Sequence, residues 1–332
     1  MIKKVEIDRT EYIIDACQYA NWDRKIFEQM NEGGVTCVNA TIVYWETTRE
    51  TLTRIGEWRR LFVDNADLIM PVYSSVDIDC AKKRGLTGIM LSFQHCSPIE
   101  EEIDLVEIMY NLGVRFMQLS YNNQSLLATG WMEREDTGIT RFGREVIREM
   151  NRIGMVIDMS HSAERSTLEA IEFSERPIAI THANPVFWCN TERNKSDVVL
   201  KKLAESNGMI GFSLYPHHLK DGSKTTLEEF CNMIAMTADL IGTKNIGIGS
   251  DLVQNQPDEV VGWMRSGKWI KKSEKGLGWP KATNWFKDNT DFTNLIKGLY
   301  QKGFHEKEVV KIMGGNWFRF INEAFEPRQW NK

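Results

Sequence analysis

Eight short, apolar, β-rich runs alternate along the chain with longer segments of helical periodicity, and this alternation constrains the fold more than any other feature. The runs are Tyr12–Cys17, Val35–Val43, Leu86–Ser92, Val114–Leu119, Met155–Met159, Ile178–Thr181, Met209–Leu214 and Ile246–Ser250. Between them, Thr140–Ile153, Ala163–Glu175 and Thr226–Ile241 carry apolar residues at three- and four-residue spacing, as helices packed by one face do. The last of these is preceded by Thr225-Thr226-Leu227-Glu228, which predicts a capping box. Strand–helix repetition implies parallel strands, because parallel neighbours need a crossover between them, and eight such strands predict a closed (β/α)8 barrel. No repeat, low-complexity stretch or linker divides the 332 residues, so a single barrel domain over 1–332 is expected. The stretch Pro257–Asn289 is rich in Gly, Lys and Trp and lacks clean periodicity, which predicts an excursion at about 255–290 that covers the barrel mouth.

Charge narrows the partners. The formal net charge is -5 and no Lys/Arg run exceeds three residues, so the concentrated positive field that a phosphate backbone requires is missing and nucleic acid is not expected. The N-terminal residues reach no signal-like apolar run, and no stretch of about 18 apolar residues occurs, which predicts a soluble, cytoplasmic protein with no membrane partner. Six cysteines without a CxxC pair read as reduced thiols, most of them in the core.

In a (β/α)8 barrel, chemistry gathers where strands end and the following loops begin. Asp158-Met159-Ser160-His161 and Thr181-His182 each put an imidazole at the end of a hydrophobic run. Neighbouring strands lie about 4.8 Å apart, so the two rings can converge on one metal ion, although either histidine taken alone reads as readily as a loop hydrogen-bonding group. Gly247-Ile248-Gly249-Ser250-Asp251 aims a carboxylate at the mouth, suited to a general base or, alternatively, to a helix cap. Arg193 offers a planar fork for a substrate carboxylate, or a surface partner for Glu192 or Asp197.

The segment DMSHSAERSTLEAIEFSERPIAITHANPVFWCNTERN, together with IGIGSD and FTNLIKGLYQKGFHEKEVVKIMGGNWFRF, resembles the renal (membrane) dipeptidase family, peptidase M19 of the amidohydrolase superfamily. TGITRFGREVIREMNRIGM also looks like that family, so the likeness covers most of residues 10–325. The resemblance implies a commonly dimeric barrel that uses zinc to hydrolyse dipeptides with a free C-terminal carboxylate. It assigns His161 and His182 as metal ligands, Arg193 as the carboxylate clamp and Asp251 as the catalytic acid/base.

The chain departs from that pattern at the other half of the metal site. The first-strand His-x-Asp pair of the family falls on Cys17 and Tyr19, its bridging glutamate on Gln94, and a substrate-contacting histidine on Tyr121. A neutral amide is a poor bridge between two dications, so one zinc rather than two is expected, its shell completed by Cys17, His95, His217 or His218. The simpler alternatives make Cys17 a buried thiol, His95 a loop residue and the His217-His218 doublet solvated. The leading expectation is a metal-dependent hydrolase of a dipeptide or similar carboxylate-bearing amide, the ion polarising the carbonyl while Asp251 moves the proton. A catalytically inactive barrel that binds a small molecule is the alternative, and Cys17 as a nucleophile without metal is a third. Trp263, Trp269, Trp279 and Trp285 give the excursion aromatic faces that fit either an interface or a methylated ammonium group.

Overall fold

The computed structural model describes residues 12–269 and 278–325. Ten strands form one parallel sheet: β1 (Ile14–Ala20), β2 (Cys37–Val43), β3 (Ile69–Pro71), β4 (Thr87–Phe93), β5 (Val114–Gln118), β6 (Val156–Asp158), β7 (Ala179–Ala183), β8 (Met209–Phe212), β9 (Ile246–Ile248) and β10 (Leu252–Gln254). The order β1-β2-β4-β5-β6-β7-β8-β9 returns to β1 through the pairing of Asp15 with Ile248, which closes an eight-stranded (β/α)8 barrel. The eight expected runs are the eight barrel strands, with ends displaced by up to three residues.

Two strands were not anticipated. β3 pairs with Thr87–Ile89 at the start of β4, while β5 pairs with the end of the same strand from Leu91 onward. β10 continues from the barrel mouth and pairs with Gln18–Ala20. Both are three residues long, too short to show a period in sequence.

The helices pack outside the barrel by their apolar stripes. Arg141–Ile153 begins where Thr140 Oγ1 accepts the Gly143 amide and ends at Gly154, whose φ of 85° suits glycine; Val146, Ile147, Met150 and Ile153 form its buried face. The helix Leu227–Ile241 starts one residue later than the sequence suggests, with the capping box made by Thr226 and Glu229. Within the excursion, Val260–Ser266 is helical, a turn that its mixed composition conceals. Residues 270–277 of the excursion lie outside the described residues.

Inside the barrel, Ile14, Cys37, Met90, Phe116, Val156, Ala179 and Met209 meet Trp317 and Phe320 of the C-terminal helix Asn316–Ala324. Trp317 Nε1 donates to Ile248 O at 3.0 Å, so this helix plugs the end of the barrel opposite the site. The plug leaves one mouth for chemistry. Among the described residues no helix is long and apolar enough to cross a membrane.

Candidate metal centre and active site

At the carboxyl ends of the strands lies a cavity of about 380 Å³, walled by Tyr44, Tyr121, Trp131, Met264 and Trp279 on its apolar side. Its polar groups are His161, Arg193, Asp251 and Gln94, with His217, His218, Tyr215 and Arg265 also in its lining. Five of the anticipated site residues, Gln94, Tyr121, His161, Arg193 and Asp251, therefore face one space from five separate loops. That convergence is a property of the barrel.

His161 follows β6, whereas His182 lies within β7 rather than beyond it, since that strand continues to Ala183. The two Nε2 atoms are 3.0 Å apart. Their protonation follows from their neighbours. Asn122 Oδ1 accepts Trp131 Nε1–H at 2.7 Å and Asn122 Nδ2 donates to Arg265 O at 2.8 Å, which fixes the amide; its oxygen then faces His161 Nδ1 at 2.9 Å, so that nitrogen carries the proton. Thr181 Oγ1 gives its own proton to Asp158 Oδ2 at 2.6 Å and can only accept from His182 Nδ1, 2.7 Å away. Both Nε2 atoms therefore present lone pairs to each other.

Such a pair needs a cation between or beside it. A proton is disfavoured, because burial first and the Arg193 guanidinium second hold both imidazoles well below their usual range. A metal ion fits: two nitrogens on one zinc at about 2.0 Å and a tetrahedral angle are roughly 3.3 Å apart, close to the spacing seen. The Nδ1 partners are the orienting groups that metal-binding histidines use. Sequence reasoning passed over Asn122, Thr181 and Asp158 in this role, because two of them join the site only through strand neighbours.

Asp251 sits between β9 and β10 with φ of 55°, and its amide donates to Cys17 O at 2.9 Å. Buried Asp15 accepts both the amide and the hydroxyl of Ser250, fixing the residue that precedes Asp251. Desolvation pushes the Asp251 carboxyl up to about 6, against the opposing pull of Arg193. The group is thus placed to exchange a proton near neutrality.

Arg193 is buried rather than at the surface: its fork donates to Ser160 O and, at 2.9 Å, to His182 O, while its Nε finds no partner among the described residues. Tyr121 stacks on His161 with ring centroids 4.1 Å apart. Gln94 Nε2 donates to Thr41 Oγ1 at 2.9 Å and approaches Cys17 Sγ at 3.4 Å. Cys17 lies inside β1, beneath the cavity, where Cys17, His182 and Asp251 offer ligand atoms within 4.8 Å of one another.

Other candidates fall away from this centre. Tyr19 packs edge-on against Tyr44 and lines a neighbouring cleft with Trp263. His95 is buried against Trp45, its Nδ1 accepting the Ser97 amide. The expected solvation of the His217-His218 doublet holds for one ring only: His217 is exposed, whereas His218 is 6% exposed and bonded to Ser213 Oγ at 2.8 Å. The short helical turn Pro216–His218 turns the two rings apart in a way that strand alternation does not describe. Of the tryptophans, Trp279 lines the cavity, Trp263 and Trp269 stand over its aromatic wall, and Trp285 instead packs on Phe230 outside it.

Comparison with known proteins agrees with this architecture. An amidohydrolase from Pseudomonas aeruginosa superimposes with a TM-score of 0.91 at 34% identity, covering 96% of this chain and 97% of that one. A metallopeptidase from Rhodobacter sphaeroides, solved with a phosphinate mimic of the dipeptide L-Ala-D-Ala, shares the fold at 16% identity with a TM-score of 0.80, covering 95% of this chain and 99% of that one. Dipeptidase tcpJ of Claviceps purpurea is 25% identical over 285 residues, 85% of this chain and 61% of that protein. The chain spans about 60% of the length of the curated relatives it matches first. Residues 19–266 match the family model of the membrane dipeptidases, and the chain therefore belongs to the membrane dipeptidase family, peptidase family M19.

Proposed function

We propose that the protein is a hydrolase that cleaves the amide bond of a dipeptide or similar small carboxylate-bearing amide with one zinc ion rather than two. The observation that carries this reading is the pair of facing Nε2 lone pairs of His161 and His182, set beside a cavity that also receives Asp251 and Arg193. An ion held by the two imidazoles would supply polarisation of the amide carbonyl and a lowered pKa for an attacking water. Asp251, raised to about 6 yet mostly ionised at neutral pH, takes the proton from the nucleophile and returns it to the leaving nitrogen. Arg193 Nε, buried and unpartnered, holds the substrate carboxylate, and the backbone bonds of its fork keep the guanidinium from moving. Tyr121, stacked on His161, presents its hydroxyl to the same space and replaces an imidazole as a hydrogen-bond donor to the substrate.

A single ion follows from the donors available. Where a second dication would need anionic ligands, the chain offers the neutral Gln94 amide and Tyr19, which faces the adjacent cleft. The same scarcity favours the rival reading, a barrel that binds a small carboxylate-bearing molecule without turnover: among the cavity's lining residues only Asp251 is acidic.

Two measurements on the purified protein separate these. Elemental analysis should give close to one zinc per chain, and a panel of dipeptides, including L- and D-configured C-terminal residues, should be hydrolysed in a chelator-sensitive way. Hydrolysis that persists without metal removes the proposed mechanism. Tight dipeptide binding with no turnover, by the zinc-loaded protein, establishes the rival.

A further inference from the structure

We infer that the cavity takes an N-acylated amino acid that carries two carboxylates and no free ammonium group, with Arg193 and Thr191 receiving one carboxylate and Arg265 the other. The inference rests on the hydrolase reading of this cavity and narrows its substrate class. Imidazoles apart, the lining holds two cationic side chains, Arg193 and Arg265, against one carboxylate, Asp251. Neither guanidinium takes part in an ion pair among the described residues. A substrate with a single carboxylate matches Arg193 and leaves Arg265 unanswered.

Both subsites are built in advance of a ligand. Arg265 Nη2 donates to the Tyr215 hydroxyl at 2.8 Å, and the Arg265 carbonyl accepts Asn122 Nδ2 at 2.8 Å, so backbone and side chain are each tied to the barrel. The other guanidinium N–H groups have no acceptor among the described residues and remain for an anion. At the second subsite, Thr191 Oγ1 and Arg193 Nε come from one loop of the lining, and both are buried without a partner among the described residues. Buried polar atoms are costly to leave unpaired, so a substrate oxygen belongs there. A free dipeptide fits this lining poorly. Its ammonium needs a carboxylate, yet Asp251 is engaged in proton transfer and Gln94 offers only a neutral amide. Close to Arg265 the ammonium would also meet a like charge. Acylation removes that charge, and a second carboxylate pairs with the planar fork of Arg265. Hydrolysis puts the OH of water on the acyl carbon and its hydrogen on the leaving nitrogen, which gives a carboxylic acid and an amino acid.

Four amides test this. N-succinyl-L-alanine and N-acetyl-L-glutamate carry the second carboxylate on opposite sides of the amide, N-acetyl-L-alanine lacks it, and L-alanyl-L-alanine has an ammonium instead. With the zinc-loaded wild-type protein, kcat/KM for the better dicarboxylate should exceed that for N-acetyl-L-alanine by about ten- to a hundredfold, and L-alanyl-L-alanine should do no better than N-acetyl-L-alanine. Whichever dicarboxylate leads shows which side of the amide faces Arg265. This comparison does not depend on any variant folding. Arg265→Gln should erase the margin, whereas Lys268→Gln, which removes a cation of the same excursion paired with Glu50, should preserve it. Hydrolysis without that margin, a preference for the dipeptide, or a margin that survives Arg265→Gln overturns the inference and leaves the hydrolase reading in place. If no amide is hydrolysed, calorimetric binding of the same compounds to the zinc-loaded protein decides. Tighter binding of a dicarboxylate then removes the hydrolase reading and keeps the inference, and equal binding overturns both.

Discussion

His161 Nε2 and His182 Nε2 face each other at 3.0 Å, each with its proton fixed on the far side of its ring. Repulsion between two lone pairs at that distance is relieved by a bound cation, so zinc should stabilise the fold. Free zinc at a hundred times its Kd adds about 2.7 kcal/mol, which a thermal melt reads as a rise of several degrees. His161→Ala should abolish the rise. A metal-insensitive wild-type melt would contradict the lone-pair argument.

Asn122 would act on a bound ion by orienting His161, whose Nδ1 its Oδ1 faces at 2.9 Å. Replacing it with alanine frees the imidazole to take either tautomer and to rotate, so zinc affinity should fall by about ten- to a hundredfold. A chelator-competition titration measures this. The histidines themselves are untouched, so one ion should still bind at saturation.

Removing the Arg193 fork should separate substrates by their C-terminus. Arg193→Gln loses a charged hydrogen bond of about 1.5–3 kcal/mol, so kcat/KM for a dipeptide with a free carboxylate should drop by about ten- to a hundredfold, with little change for its C-terminal amide. Equal losses on both substrates would place Arg193 outside carboxylate recognition.

Lys195 is buried beside Arg193's guanidinium, with its ammonium donating to Ser162 O at 2.8 Å. Burial first, then repulsion from Arg193, brings its pKa down to about 7 from 10.5. The sign is that of a depressed cation: between about 7 and 10.5 the unfolded chain binds a proton that the folded chain does not, so stability is full above the upper value and is lost as pH falls. Lys195→Met should therefore stabilise the protein at pH 7, by about 1–3 kcal/mol after relaxation, and by progressively less toward pH 10. Ser162 O keeps a partner in Thr167 Oγ1, so its desolvation does not offset the gain. Denaturant unfolding at the two pH values checks the trend.

Gly249 lies where β9 ends, and a Cβ there would stand 1.6 Å from Thr181 O. Thr181 cannot retreat, because it bridges Asp158 and His182. Gly249→Ala should cost about 3 kcal/mol or more and disturb His182 directly, seen as a lower denaturation midpoint together with weaker zinc binding. An unaltered zinc affinity would show that the strand end relaxes without moving Thr181.

Much of the barrel was legible because its strands are buried on both faces and read as continuous apolar runs, separated by helices of clear period. β3 and β10 were not, since each is held by three residues of pairing rather than by composition. At the site, His161, His182, Arg193 and Asp251 could be singled out because they stand at or beyond the ends of apolar runs and fall on the motifs that carry the family resemblance. Their polar supports could not: Asn122, Thr181 and Asp158 are unremarkable residue types whose roles exist only through hydrogen bonds between strands. The His217-His218 doublet was half legible for a related reason, since a turn at Pro216 leaves His217 exposed and buries His218.

What the sequence by itself determined is the eight barrel strands, their parallel order and the set of residues brought to the mouth, because hydrophobic periodicity and crossover length act locally along the chain. Only the tertiary structure decided which of those residues meet. The protonation of two imidazoles, the burial of Arg193 and the polar surroundings of Cys17 depend on atoms from β1, β4, β6, β7 and the loop after β9. Hydrogen bonds and desolvation are short-ranged in space and indifferent to separation along the chain, so closure of the barrel was needed before they had a value.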